Sequence, residues 1–229
     1  MQTILQDLRC ITRPALPHAK YPDATKWNAF YDQTGERIRA LPGVQAAGLT
    51  SVLPVSGNFD RRSFQVETHP VPRGAEPEAD TYIVTPGYLQ TMRISLLKGR
   101  TLTERDANNT EPVALVSETL ARRYWPSEDA IGKRIKFPGS ESRPQPWRTV
   151  VGLVGDVKQY GVDMESTMQL YLPAAQFPSS SLTLVVLASG GPAQILGAVR
   201  NEIRGVDPDQ AVFAVATMEE LLSSASHCC

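Results

Sequence analysis

Apolar residues in this chain fall mostly into short runs cut by Pro, Gly and charge, and only a few segments carry a helical period. Trp27, Phe30, Tyr31, Ile38 and Leu41 recur at mostly helical spacing. This predicts an amphipathic helix from Asp23 to Ala40, capped by Asp23 and stopped by Pro42-Gly43, despite Gly35 in its interior. Val44 to Leu53 then reads as a strand. A loop over 54–60 follows, and the alternation from Arg62 to Glu67 reads as a second strand. The Pro-rich acidic stretch from His69 to Ala79 reads as an exposed connector and a subdomain boundary.

The stretch VTPGYLQTMRISLLKGRTLTERD, residues 84–106, has the most regular punctuation. Thr85-Pro86-Gly87 signals a helix start, with Thr85 as cap and Pro86 in the first helical position, where a missing N–H is harmless. A short helix through Met92 should follow. Ile94, Leu96 and Leu97 form an apolar run that Lys98-Gly99-Arg100 breaks, and Thr103 with Asp106 reads as a one-turn capped element. Further on, Val113 to Val116 reads as a strand and Ser117 as the cap of a helix to Tyr124 in which Leu120 and Tyr124 share a face. Residues 139–146 read as a loop. Arg148 to Val157 reads as a strand whose Gly152 and Gly155 mark a bulge or a close backbone approach. A short strand at Tyr171-Leu172-Pro173 closes this section.

The last section reads as an apolar strand at Leu182 to Ala188, a Gly190-Gly191-Pro192 turn, a helix from Ala193 to Arg204 and a strand at Val212 to Val215. A final helix opens at Thr217, with Glu220 completing a capping box. This β-α-β unit, set beside the helix-strand-strand unit at the start, predicts that the two chain ends share one sheet and that the middle is inserted between them. The fold class expected is therefore α+β. The chain shows no internal repeat or low-complexity tract.

With 229 residues the chain can bury a core without disulfides or metals, and 23 basic against 24 acidic residues give no reason to expect nucleic acid as a partner. Basic pairs such as Arg61-Arg62 and Arg122-Arg123 read as solvated faces. Cys10, Cys228 and Cys229 lie near the ends and have no metal-ligand spacing. No run approaches the roughly 18 to 20 apolar residues of a membrane helix, and the start, MQTILQDLRCITRP, has no signal-peptide apolar segment.

The chemistry-bearing motifs are absent. Neither a G-x-x-x-x-G-K-[ST] phosphate loop nor G-x-G-x-x-G occurs, and H-E-x-x-H and G-x-S-x-G are missing too. His18, His69 and His227 are scattered, so a surface reading outweighs a catalytic one. Asp156, beside Gly155 at the end of an apolar strand, is the most enzyme-like carboxylate. A hydrolase built on it with Asp163 or Glu165 is weighed against a turn residue accepting backbone N–H bonds. Trp125 reads as a core aromatic rather than an exposed anchor. Asn108-Asn109-Thr110 fits a glycosylation sequon of little weight. No catalytic, cofactor-binding or metal-ligating residue is expected.

The order of residues in Val84 to Asp106 closely resembles a stretch of the MacB-like periplasmic core domain, V-S-P-G-Y-F-x-T-M-G-I-P-L-L-x-G-R-x-F-x-x-x-D, with Arg93 and Ser95 replacing a Gly and a Pro. Those two changes should alter one turn and not the fold. Pro112 to Pro126, Ala130 to Ile135, Trp147 to Tyr160, Asp207 to Gln210 with Thr217 to Glu220, and Leu41 to Val44 with Thr50 to Gly57 resemble further segments of that family in order. Together they cover Tyr21 to Leu222. The resemblance implies a porter-like subdomain from 21–72 and 180–222, a strand-rich inserted subdomain at 73–179, an arm at 1–20 that is disordered or a remnant of a cytoplasmic lead-in, and a tail at 223–229.

It further implies a non-catalytic extracytoplasmic domain of an ABC-type permease on the bacterial inner membrane, without cofactor. It would couple conformational change or contact partner proteins and cargo. Its partners would be membrane helices that this chain lacks, a separate ATPase subunit, and a homo-oligomeric or periplasmic partner. The start is similar to the lead-in of the duplicated orphan permease branch, yet no membrane helix follows it, so a truncated or rearranged permease is expected. A soluble ligand-binding module is the alternative, with the Asp156 hydrolase behind it.

Overall fold

The computed structural model describes residues 8–14, 16–54, 56, 58–139, 144–158, 166–189, 192–209 and 212–216. In chain order the elements are β1 (Leu8–Pro14), α1 (Ala24–Arg39), β2 (Val44–Thr50), β3 (Arg61–Ser63), β4 (Gln65–Val66), β5 (Glu78–Val84), α2 (Tyr88–Thr91), β6 (Leu96–Gly99), β7 (Val113–Ser117), α3 (Glu118–Tyr124), β8 (Arg134–Lys136), β9 (Arg148–Val154), β10 (Gln169–Pro173), β11 (Thr183–Ala188), α4 (Pro192–Val206) and β12 (Val212–Ala216). The strands form one mixed sheet in the order β12-β1-β11-β2-β5-β10-β7-β9-β8-β4, with β3 on β5 and β6 on β9. The α+β expectation holds.

Strand parity explains the core. On β2, Ala47 and Leu49 face α1 and α4, joining Phe30, Tyr31, Ile38, Val199 and Ile203 and the β11 residues Leu184 and Val186. On the middle strands Ala114, Val116, Leu170, Leu172 and Val150 point to a second cluster with Leu120 and Trp125 of the α3 segment. The residues between them in sequence turn to the opposite face, as a period of two requires. There Val185, Val84, Tyr82, Tyr171, Leu115 and Val154 meet Tyr88, Leu89 and Met92 in a third cluster. This cluster runs beneath both halves of the sheet.

The two halves meet along a narrow seam. β2 and β5 pair in register only at Thr50 and Val84. Around that point side-chain hydroxyls stand in for carbonyls: Leu49 N–H donates to Thr85 Oγ1 at 2.9 Å and Ile83 N–H to Ser51 Oγ at 3.0 Å. Backbone bonds from Ser51 N–H to Ile83 O (2.9 Å) and from Thr85 N–H to Leu49 O (3.1 Å) complete it. α2 is pressed onto β2 here. A Cβ at Gly48 would lie 2.5 Å from the backbone N and Cα of Tyr88, so only glycine leaves room for the helix.

Several sequence expectations hold closely. Asp23 caps α1, its carboxylate accepting from Lys26 N–H at 3.0 Å, and Ser117 caps α3. Gly152 does mark a close approach, because a Cβ there would meet Arg100 O at 2.3 Å. Others are corrected. Thr85 does not cap α2, which begins at Tyr88 after Gly87 at φ 90°; its hydroxyl is engaged by the seam instead. The strand expected from Arg62 to Glu67 divides, because β3 pairs with β5 and β4 with β8. β3 and β4 thus join middle strands, although they precede residue 73. Within the arm at 1–20, expected as disordered or a lead-in remnant, Leu8–Pro14 forms a strand between β11 and β12, Ile11 opposite Val185 on one side and Ala216 on the other. Pro14 stands at the end of this strand, where its missing N–H is tolerated. The capping box at Thr217 and Glu220 lies outside the described residues.

The turn after α2 shows what the Arg93 replacement does. Ile94 N–H donates to Leu89 O (2.8 Å) and Arg93 N–H to Gln90 O (3.1 Å), the paired bonds of a Schellman ending. Arg93 occupies the left-handed position at φ 52°, which favours glycine. Arg93→Gly should therefore stabilise the protein by about 1 kcal/mol in urea unfolding. Gly48→Ala should destabilise it by about 1–3 kcal/mol in the same assay, since the obstructing atoms are backbone.

Candidate functional site

The middle strands end around α3, where the sequence concentrates its candidate chemistry. Gln169 on β10 organises this end. Its amide N–H donates to Ser117 Oγ (3.1 Å), and its side-chain oxygen accepts from Val157 N–H (3.0 Å) and the Tyr171 hydroxyl (3.2 Å). This fixes the chain just beyond β9, and so fixes Asp156. Asp156 is turned onto the start of α3. Its Oδ1 accepts from Thr119 N–H at 2.9 Å, its Oδ2 accepts from the Thr119 hydroxyl at 2.6 Å, and Arg122 Nη2 lies 3.6 Å from Oδ2. A carboxylate at this place satisfies an orphan helix N–H and opposes the positive end of the helix. That is the backbone-accepting role weighed against catalysis. Asp163 and Glu165, its suggested catalytic companions, lie outside the described residues.

A surface cavity of about 380 Å³ adjoins this helix, with Arg61, Glu78, Asp80, Thr119, Arg123 and Thr167 in its lining. Its most buried acid, Asp80, accepts from the Thr167 hydroxyl and lies 3.4 Å from Arg61 Nε. The lining thus pairs its buried acid with a base. A second cavity of about 270 Å³ is bordered by Gln65, Arg73, Glu76, Lys136, Phe137 and Pro144. Among the described residues no group of three or more His, Cys, Asp or Glu could hold a metal ion. His69 packs edge-on against Tyr124 at 5.7 Å, and His18 is exposed. Trp125 is buried and donates its ring N–H to Thr68 Oγ1 at 3.2 Å, in keeping with its reading as a core aromatic.

Two buried carboxylates act as clamps: Asp106, expected to close a capped turn with Thr103, and Asp207, to which the sequence assigns no role. Asp106 receives both terminal nitrogens of Arg100, at 2.9 and 2.8 Å, together with Thr103 N–H at 2.8 Å. Asp207 receives the Tyr21 hydroxyl at 2.6 Å, the Lys20 ammonium and Asp209 N–H at 3.1 Å, so it ties the chain before α1 to the chain after α4. Burial alone would raise both carboxyls. The bonds from Arg100 and Thr103, and from Lys20, Tyr21 and Asp209, outweigh it and hold both below the usual aspartate value. The paired Tyr21 hydroxyl is pushed up, by burial first and then by Asp207. Spacing could have flagged Arg100 and Asp106, six residues apart across a capped turn. Nothing local announces Lys20 with Asp207.

The architecture is that of known extracytoplasmic domains. The periplasmic region of MacB from Actinobacillus actinomycetemcomitans superposes with a TM-score of 0.61 at 13% identity, covering 100% of both chains. The extracellular domain of the noncanonic ABC-type transporter YknZ from Gram-positive bacteria gives 0.54 at 14% identity, over 90% of this chain and 100% of that one. A permease-protein domain from Porphyromonas gingivalis gives 0.55 at 16%, over 93% and 91%. At such identities the likeness speaks for the fold alone. No curated protein matches the chain significantly. The profile of the MacB-like periplasmic core domain, however, matches residues 11–216. The chain belongs to the MacB-like periplasmic core domain family.

The clamps carry a pH signature. A carboxyl held below its unfolded value of about 3.9 contributes stability that is present above that value and is lost as pH falls through the folded one. Urea midpoints of the wild type should therefore drop as pH is lowered below about 4. Asp106→Asn and Asp207→Asn should each lower stability by about 1–3 kcal/mol at pH 7 and flatten that acid loss.

Proposed function

We propose that this domain works on the extracytoplasmic face of a bacterial inner-membrane ABC-type permease as a non-catalytic coupling module. Nucleotide hydrolysis belongs to a separate ATPase subunit, and membrane helices outside this chain carry the motion. The family match over residues 11–216 is the observation that carries this reading. The sheet gives it a physical basis. β1 and β12 lie side by side, so both ends of the domain are joined to one edge of the sheet. From there the sheet runs unbroken to β8 and β4, with one core cluster passing beneath the seam. A displacement applied at the β1–β12 edge would be delivered to the far strands as a movement of the whole body. On this reading the seam at Thr50 and Val84 is where the porter-like subdomain meets the inserted one. In this role it would also contact partner proteins or cargo. No helix among the described residues is long and apolar enough to cross a membrane.

A tagged copy in the native host tests this reading. Protease added to spheroplasts should degrade it while the cytoplasmic ATPase survives, and solubilised membranes should yield it with membrane-helix segments and that ATPase. Recovery from the cytosol with neither overturns the proposal. The hydrolase alternative fares less well, because Asp156 is held by the N-terminus of α3. Asp156→Ala should cost about 1 kcal/mol of stability, as loss of a helix cap does. Turnover of model esters or phosphoesters by the wild type, lost in this variant, would restore the enzyme reading.

A further inference from the structure

Among the described residues the charged side chains buried in the fold are Asp80, Asp106, Asp207 and Arg148. Each of the carboxylates has a cation, supplied by Arg61, Arg100 and Lys20 respectively. Arg148 breaks this rule. It is 3% exposed, and its Nε and Nη1 donate to no acceptor. Burial pushes its ionisation down, and among the described residues no neighbouring carboxylate opposes that.

Arg148 opens β9 on the face that also carries Val150, across from Ile135 of β8. Its guanidinium lies over the ring of Phe177, 5.3 Å from the centroid, and the ring in turn packs against Phe137 at 5.6 Å. A second guanidinium, from Arg62, lies 5.0 Å from the same centroid. The charge of Arg62 is already met, since Asp60 accepts from Nε at 2.9 Å and from Nη2 at 2.7 Å. Two cations thus converge on one ring, and among the described residues only Arg62 has an anion. A cation–π contact offsets only part of what it costs to take a guanidinium out of water. Arg cannot escape that cost by losing its proton, as a buried Lys can. The remaining demand is for a negative charge with oxygen acceptors. Phe177 and Arg62 are half-buried, so this cluster reaches the surface.

We propose that Arg148, beside Phe177 and Arg62, is the recognition element of a binding site for a small oxyanion, a carboxylate or a phosphate. The planar fork of a guanidinium can donate to two oxygens of either at once. The site lies on the inserted side of the sheet and is separate from both cavities near α3 and β8, neither of which Arg148 lines.

Thermal unfolding of the full chain tests it, with inorganic phosphate or acetate titrated at an ionic strength held constant with chloride. At tenfold excess over the binding midpoint the wild-type Tm should rise by about 3–6 °C. Arg148→Met, similar in volume and uncharged, should show no rise, while Arg62→Met keeps a response. A rise with phosphate alone identifies a phosphate site, and a rise with acetate as well a site for carboxylates. Equal responses of wild type and Arg148→Met, or no saturable response in the wild type, overturn the proposal. Should Arg148→Met not fold, the Arg148 Nε–Hε resonance of the wild type decides the matter instead. A saturable shift with the anion supports the site, and an unmoved resonance rejects it.

Discussion

Everything on one face of this sheet depends on Tyr88 lying against a strand that has no side chain beneath it. Gly48 leaves a notch on β2, and α2 sits in it with Tyr88 fully buried. This close approach brings Leu89 and Met92 down with it and gathers residues from β5, β7, β9, β10 and β11 into one cluster. Pairing between the two halves amounts to one register pair and a handful of hydrogen bonds, too little to hold them in one orientation. Apolar burial beneath the seam supplies what the ladder lacks. The hydroxyls of Ser51 and Thr85 complement it by satisfying backbone donors where the strands diverge, since an unpaired buried N–H would be costly.

The structural acids follow one logic at several scales. Asp106 closes a local turn with Arg100, Asp156 closes the start of a helix, and Asp207 joins segments that are distant in sequence. Each accepts bonds from more than one donor, so its charge is spread over groups already fixed by the backbone. Side chains committed in this way are poor candidates for proton transfer, because a base must have an acceptor position left for its substrate. These three carboxylates serve shape, and Arg148 stands apart because no described acid answers it.

Much of the fold is legible in the sequence. The helical period of Trp27, Phe30, Tyr31 and Ile38, the caps at Asp23 and Ser117, and the glycine inside β9 each rest on local rules, and local rules fix local structure. Expectation and structure part where tertiary partners decide. Thr85 has the pattern of a cap, but Leu49 claims its hydroxyl, and Arg62 to Glu67 has the pattern of one strand because the change of partner from β5 to β8 leaves no mark on the residues. Leu8–Pro14 gives no strand signal of its own, since its strand character comes from the neighbours on either side. At the candidate site the pattern around Asp156 allows a carboxylate that accepts backbone N–H bonds, but the turn it suggests is not the partner, which is Thr119 at the start of α3. Lys20 with Asp207 is not legible, since nothing in either segment names the other.

The sheet finishes beyond β8 in β4, a strand of only two residues whose Val66 also bridges to His69. A long free edge presents a row of unmet donors and acceptors on which a foreign strand can assemble. Here that row is cut to almost nothing, and the chain folds back on itself at once. β6, beside β9, is likewise four residues long and carries Lys98. Margins this meagre leave little backbone at that end on which growth into fibres could begin.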